Sequence, residues 1–266
     1  MVETGPFCFL RFKGVILMRV PIIAGNWKMH KTVAESVDFV KKIKDQLPPA
    51  EQLETALAGP TLSLVSMKEA AAGSPLKIAA ENCYYKNEGA YTGETSPYAL
   101  YQAGIHHVIL GHSERRKYFH ETDEIVNKKI KAALAEHLCP IVCCDDTMGR
   151  RTAGKKVHWV VNQILYDAKG LSSDEIRHVT IAYEPSWAIG TGQSADPDEA
   201  EEGCYLIRQT VAYMYGNDVA NDVRILYGGS VTTSNINALM SSQDIDGVLV
   251  GGASLDPETF LKLVNH

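Results

Sequence analysis

The chain has 266 residues, enough for one large domain or two small ones, and barrels of alternating strand and helix reach this size as one domain. Apolar residues make up 45% and charged residues 22%, a balance that can fill a sizeable core. The formal net charge is −6, with acids and bases interleaved, which argues against nucleic acid as a main partner and leaves no basic patch for a membrane surface.

The opening stretch from Met1 to Met18 stands apart. Phe7-Cys8-Phe9-Leu10 is apolar, but Arg11 and Lys13 interrupt it and no small-residue cleavage site follows, so a secretory signal is not supported. No apolar run approaches membrane-spanning length. We expect residues 1–18 to be a poorly ordered leader and residues 19–266 to form the working domain. Cys8, Cys83, Cys139, Cys143, Cys144 and Cys204 show neither CxxC pairing nor zinc-ligand spacing, and several lie inside apolar runs. They read as reduced, buried thiols of a cytoplasmic protein.

In chain order, a first apolar run at 20–24 leads into Gly25-Asn26-Trp27-Lys28. Thr32 with Glu35 then makes a capping box, and Val37, Val40, Ile43 and Leu47 keep one helix face apolar until Pro48-Pro49. Strands follow at 55–58 and 77–80, with a short helix near Ser96-Pro97. The run at 107–110 precedes Gly111, His112, Ser113 and Glu114, and a helical pattern spans 123–136. The run at 140–144 ends in Asp145-Asp146, and a helix is expected over 152–168. After the run at 179–183 come Glu184 and Pro185, then a long apolar-and-glycine loop to Ala195. Asp196-Pro197 opens a helix with Asp198, Glu199, Glu201 and Glu202 massed at its positive end, and Ala200, Cys204, Ile207, Val211 and Met214 make its buried stripe. The runs at 223–227 and 247–250 end in Gly228-Gly229-Ser230 and Gly251-Gly252-Ala253-Ser254, with a short helix between them. Asp256-Pro257 opens the last helix, which buries Phe260, Leu263 and Val264.

Eight short runs, most apolar enough to be covered on both faces, alternate with helices. Strict alternation implies a parallel sheet, and eight units can close into a (β/α)8 barrel with no edge strand. An open doubly wound sheet would normally carry a glycine-rich nucleotide turn after its first strand, which is absent at 25–28.

In such a barrel, chemistry gathers where the strands end. Glycine pairs after the last two strands let backbone N–H groups approach an anion, although either pair alone could simply make a tight turn. Glu184 could be a general base in a site that excludes water; the commoner fate of a single Glu is a cap or a salt bridge. Residues after His112 can start a helical turn, whose positive end disfavours imidazolium and would leave a neutral donor ring. A structural histidine with a backbone partner is the alternative. Lys28 could pair with Glu114 or face an anionic substrate. His106, His107, His112 and His120 lack companion ligands at metal spacing.

The strings Asn26-Trp27-Lys28-Met29, Gly111-His112-Ser113-Glu114-Arg115-Arg116, Tyr183-Glu184-Pro185-Ser186-Trp187-Ala188-Ile189-Gly190-Thr191-Gly192, Tyr227-Gly228-Gly229-Ser230 and Gly247-Val248-Leu249-Val250-Gly251-Gly252-Ala253-Ser254-Leu255 resemble the triosephosphate isomerase family, in family order. The resemblance implies a cofactor-free enzyme that isomerises a three-carbon sugar phosphate through an enediolate. It implies that Glu184 shuttles the proton, that neutral His112 polarises the carbonyl, and that Lys28 and Asn26 hold substrate and stabilise charge. Glu114 would steady Lys28, and backbone groups of Gly190, Ser230, Gly251 and Gly252 would grip the phosphate. The loop 185–195 resembles a lid. Family members are usually homodimers, with the loop around 84–93 entering the partner and Thr92 near its active site.

Three departures stand out. Gln193-Ser194-Ala195 replaces the usual Lys-Thr-Ala at the lid's end, and Asp145-Asp146 replaces a sequence ending Gly-Glu, which would alter a contact to Trp187. The leader has no family counterpart. Among rivals, an epimerase would show His and Asp metal pairs at strand ends, and a Schiff-base aldolase would carry lysine where Glu184 stands. A catalytically idle binding barrel would be expected to have lost reactive side chains that this chain keeps.

Overall fold

The computed structural model describes residues 19–147, 149, 154, 156–186 and 196–266. Its strands are β1 (Ile22–Asn26), β2 (Glu54–Gly59), β3 (Lys77–Ala80), β4 (His107–Leu110), β5 (Cys139–Asp146), β6 (Thr180–Pro185), β7 (Ile225–Tyr227) and β8 (Gly247–Val250). They pair in sequence order, all parallel, and β1 closes on β8 through Ile22 opposite Gly247. The expected closed (β/α)8 barrel is what forms.

Helices α1 (Val33–Ile43), α2 (Leu64–Ala70), α3 (Pro97–Gln102), α4 (Ser113–Tyr118), α5 (Asp123–Ala135), α6 (Lys156–Asp167), α7 (Ser173–Ile176), α8 (Pro197–Tyr215), α9 (Asn217–Asp222), α10 (Ile236–Met240) and α11 (Pro257–Val264) occupy the connections. The Thr32–Glu35 capping box is present at α1, and Asp196 and Asp256 cap α8 and α11 with proline at the first turn. Helix α1 buries Phe39 beside Val40 and Ile43, while Val37 is only half-buried. The helix expected from Thr152 is described from Lys156; Thr152, Ala153 and Lys155, like the leader 1–18, lie outside the described residues.

Strand parity decides what faces inward, because successive side chains alternate between faces. One apolar cluster fills the barrel: Ile22 and Ala24 from β1, Ala56 and Ala58, Ala79, Ile109, Ile141 and Cys143, Ala182, Leu226 and Leu249. The much larger second cluster, with Trp27, Phe39, Leu57 and Phe260 among its members, packs the strands' outer faces against the helices. Counting two residues up from the inner layer reaches Asn26, Glu81, Glu184, Gly228 and Gly251 at the carboxyl rim. Two residues down are Glu54, His107, Thr180 and Arg224, at the amino rim. The middle layer is apolar and both ends are polar.

Candidate active site

A cavity of about 480 Å³ opens at the carboxyl rim, a volume suited to a small ligand. Its lining joins Asn26, Lys28, His112 and Glu184 to the turns after β7 and β8, including Ser230, Gly251 and Gly252. Eight of the nine residues singled out from sequence therefore lie in or beside one cavity, with Glu114 reached through Lys28. The ninth, Gly190, lies outside the described residues with 187–195, so the lid expected over 185–195 is described only at Pro185 and Ser186.

Glu184 is 1% exposed and spends both oxygens on neighbours. Oε1 lies 2.7 Å from His112 Nε2, and Oε2 accepts the Ser113 N–H at 2.8 Å. Burial alone would make this carboxylate easier to protonate. The His112 ring, the Ser113 N–H and the Lys28 charge outweigh burial and hold its proton affinity below the usual carboxylate range.

His112 caps the N-terminus of α4, as the sequence suggested, and Nδ1 accepts the Glu114 N–H at 3.2 Å. A ring that accepts at Nδ1 carries its proton on Nε2, so the geometry is that of a neutral imidazole donating to Glu184. Burial opposes a charge on the ring, but the adjacent carboxylate more than offsets it and raises the ring's proton affinity. That rise depends on Glu184 staying where it is.

Lys28 projects from the turn after β1, with Nζ 2.6 Å from Glu114 Oε1, the pairing anticipated from sequence. Its stem also passes Gly251, whose missing Cβ would sit 3.8 Å from Lys28 Cε. One cation thus stands close to a glycine turn. The turn itself is held from behind, since the Trp27 indole N–H donates to the Ser254 carbonyl at 2.9 Å.

The two glycine turns divide between packing and open space. At Gly229 a Cβ would meet the Tyr227 hydroxyl at 2.1 Å, so packing alone demands glycine. At Gly252 nothing lies within 4 Å of an added Cβ, and the residue borders the cavity. Gly252 and Ser254 bound a single 3-10 turn directly after β8.

Sequence reading passed over three participants. The Ser113 N–H fixes Glu184; Cys143, fully buried on the inner face of β5, lies against the same carboxylate, with burial and then Glu184 pushing its thiol well above the ordinary range. Glu81 stands at the bend after β3. Parity in β5 and β3 marks the last two, because each lies two residues from an inner-core position. Asp146 is fully buried, and the Tyr183 hydroxyl donates to its Oδ2 at 3.3 Å; the expected altered contact to Trp187 lies outside the described residues. Among the described residues no group of three His, Cys, Asp or Glu is gathered as a metal ion requires, and no described helix is long and apolar enough to cross a membrane.

The family model for triosephosphate isomerase matches residues 21–266. The triosephosphate isomerase of Lactiplantibacillus plantarum is 55% identical over 249 residues, covering 94% of this chain and 99% of that protein. Those of Ligilactobacillus salivarius and Lactobacillus helveticus are each 52% identical, over 249 and 250 residues, with the same coverage.

Proposed function

The chain belongs to the triosephosphate isomerase family, and we infer from that membership and from the rim geometry how its site works. It is a triose-phosphate isomerase, interconverting dihydroxyacetone phosphate and D-glyceraldehyde 3-phosphate, a step of glycolysis and gluconeogenesis. Substrate and product have the same atoms, so the chemistry is one proton moved between adjacent carbons, with matching movement of hydroxyl protons. No cofactor is needed.

Glu184 is the base. It takes the proton from one carbon, leaving an enediolate, and returns it to the next. His112, neutral and protonated on Nε2, donates to the carbonyl oxygen and so stabilises the charge that develops there. Lys28 and Asn26 hold the oxygens, Glu114 steadies Lys28, and backbone N–H groups at Ser230, Gly251 and Gly252 receive the phosphate, with Gly190 completing the grip from the lid. The observation that carries this reading is the contact between Glu184 and His112 at the wall of the cavity that the glycine turns also line.

That contact also dictates a movement. With Oε1 on His112 at 2.7 Å, no substrate carbon fits between them. Glu184 must leave both His112 and the Ser113 N–H to reach the substrate. Those are two of the contacts that keep its proton affinity low, whereas burial persists. The base is therefore weak at rest and stronger once displaced. A coupled assay with D-glyceraldehyde 3-phosphate tests the assignment: steady formation of dihydroxyacetone phosphate is expected, and a chain that only binds the triose would refute it.

The enzyme acts as a homodimer in the cytoplasm. Supporting the dimer, Met29, Leu62, Val65, Tyr91, Tyr98, Tyr118 and Phe119 are exposed in the connections after the first four strands, against Val157, Tyr166, Tyr205 and Tyr213 after the fifth and sixth. The segment 84–93 is a closed finger: the Tyr84 N–H donates to the Thr95 carbonyl at 2.8 Å, and Tyr84 packs on Tyr85 and Tyr91 with ring centres 4.1 and 4.6 Å apart. It would carry Thr92 into the partner's rim. Sedimentation should give twice the chain mass; a monomer of full activity would remove the dimer. The family match from residue 21 supports reading 19–266 as the catalytic barrel and 1–18 as a leader outside it.

A further inference from the structure

Two lysines in the turn after β1 have left-handed backbones, Lys28 with φ of 56° and Lys31 with φ of 71°, a conformation that a residue with a Cβ adopts only against steric cost. Lys28 lines the cavity, and Lys31 stands outside its lining. The Lys31 side chain passes two rings, with Nζ 5.2 Å from the centre of Trp27 and 4.9 Å from that of Phe39. Its ammonium then donates to the Leu255 carbonyl at 2.8 Å. Leu255 closes the 3-10 turn after β8, and its own N–H is bonded back to the Gly252 carbonyl at 3.1 Å. That segment borders the cavity through Gly251, Gly252, Ala253 and Leu255.

Both ends of this tie are fixed. Thr32, the residue after Lys31, caps α1 and donates its N–H to Glu35 at 2.7 Å, and Phe39 of that helix packs edge-on against Trp27 with ring centres 4.9 Å apart. Across the tie, the Trp27 indole holds the Ser254 carbonyl, and the Ser254 hydroxyl donates to the Gly251 carbonyl at 2.6 Å. We propose that Lys31 is a positioning residue for the phosphate site, its ammonium fastening the Leu255 carbonyl and so holding the turn after β8 in the shape that presents the Gly251 and Gly252 N–H groups to the phosphoryl group. The inference rests on the reading of that turn as the phosphate grip. A carbonyl at the end of a helical turn lacks a partner within it and carries partial negative charge, so a cation suits it. An ammonium there makes a charge-assisted bond, stronger than a neutral donor would make. The same bond joins the loop that carries Lys28 to the turn beside it, where the Cβ position of Gly251 lies 3.8 Å from Lys28 Cε. Lys31 thus sets the spacing between the groups that hold the two ends of the substrate.

Lys31→Met keeps an apolar stem beside the rings and removes the donor, whereas Lys31→Arg keeps a charged donor. In the full-length enzyme Lys31→Met should raise KM for D-glyceraldehyde 3-phosphate and the inhibition constant of inorganic phosphate together, each about tenfold, with kcat falling by less than about threefold. Lys31→Arg should bring both constants back to within about threefold of the parent. A part confined to stability would lower the melting temperature and leave both constants unchanged well below the transition. Parent-like constants in Lys31→Met, a rise in KM with no matching rise for phosphate, or equal impairment in Lys31→Arg would each overturn the proposal. If Lys31→Met does not fold, Lys31→Gly decides, because glycine suits the left-handed backbone and also lacks the donor; it should show the same paired rise. Phosphate that fails to compete with substrate in the parent would instead remove the phosphate grip itself. Normal competition in the parent with unaltered constants in Lys31→Met removes only the part played by Lys31.

Discussion

At the amino rim Glu54, at the start of β2, lies 3.2 Å from His107 of β4 and 3.1 Å from Arg224 below β7. Beside them Arg208 of α8 grips Asp244 and, at 2.7 Å, Asp246; Asp246 also takes Arg19 at 2.5 Å and the Ile225 N–H at 2.8 Å. At the carboxyl rim, one apolar layer away, Glu184 is buried still more deeply, yet its partners are a ring and a backbone N–H at the wall of a cavity. Both rims are the polar ends of the same alternating strands. They differ in whether the partners are permanent. Charges that lock together across strand starts tie the barrel shut, and a charge whose contacts can be surrendered is available for chemistry.

The comparison breaks or sharpens by exchanging one side chain at each end. The largest effect is expected from Glu184→Gln: turnover should fall by about 10³–10⁴, the weight of a positioned general base, while phosphate-ligand affinity and melting temperature stay close to the parent. Steady-state kinetics with calorimetry checks it, and near-normal turnover removes Glu184 as base. At the other rim Glu54→Gln should lower unfolding free energy by about 3–5 kcal/mol, because the buried carboxylate that pairs with the Arg224 guanidinium and contacts the His107 ring is lost. Its kcat should not change; if kcat falls in step with stability, the rims are not separable.

His112→Gln comes next, with turnover reduced about 10²-fold and most of the loss in kcat. A change confined to KM would take the electrophile role from it. The smallest effects are the pH dependences, and they have opposite signs. For Glu54, burial is outweighed by His107 and Arg224, which hold its pKa well below the usual range. It therefore stabilises the fold above the ordinary carboxylate pKa, and this is lost as pH falls toward the folded-state value. For Glu81 the pKa is raised to about 7, so the folded state binds its proton more tightly than the unfolded chain. That contribution is full below the ordinary pKa and disappears as pH rises through about 7. Melting curves should show the deficit of Glu54→Gln shrinking toward pH 4, about where ordinary carboxylates titrate, and the change in Glu81→Gln growing toward alkaline pH.

Much of this was legible in the residues, for identifiable reasons. The third, fourth and eighth strands fall where expected, at 77–80, 107–110 and 247–250, because each is a short apolar run cut off by polar or glycine residues. The first strand runs Ile22–Asn26 and not 20–24, since pairing with Leu57 and Ala58 draws Gly25 and Asn26 into the sheet, while Pro21 has no N–H to give. Strand five extends through Asp145 and Asp146, opposite Glu184 and Pro185; Gln163 from α6 both donates to and accepts from the Asp145 backbone. No local pattern predicts two acids in a strand, because the compensation comes from another helix. The rim residues were identifiable by their place at strand ends. Glu81 shares their inward parity, two residues past Ala79, but it stands beyond the last residue of β3, at a bend that no apolar run marks.

The apolar middle layer has one more implication, for how this protein could change length. Lengthening a connection on either side of a strand leaves every side chain facing as before, whereas deleting one residue between Thr180 and Glu184 would rotate the carboxylate into the helical shell. Insertions and deletions in the strands are thus admissible only in pairs, and the freer ones fall in connections that line no part of the cavity. A library of shuffled barrels built on this chain should yield isomerase-positive clones only where the count from core to rim stays even.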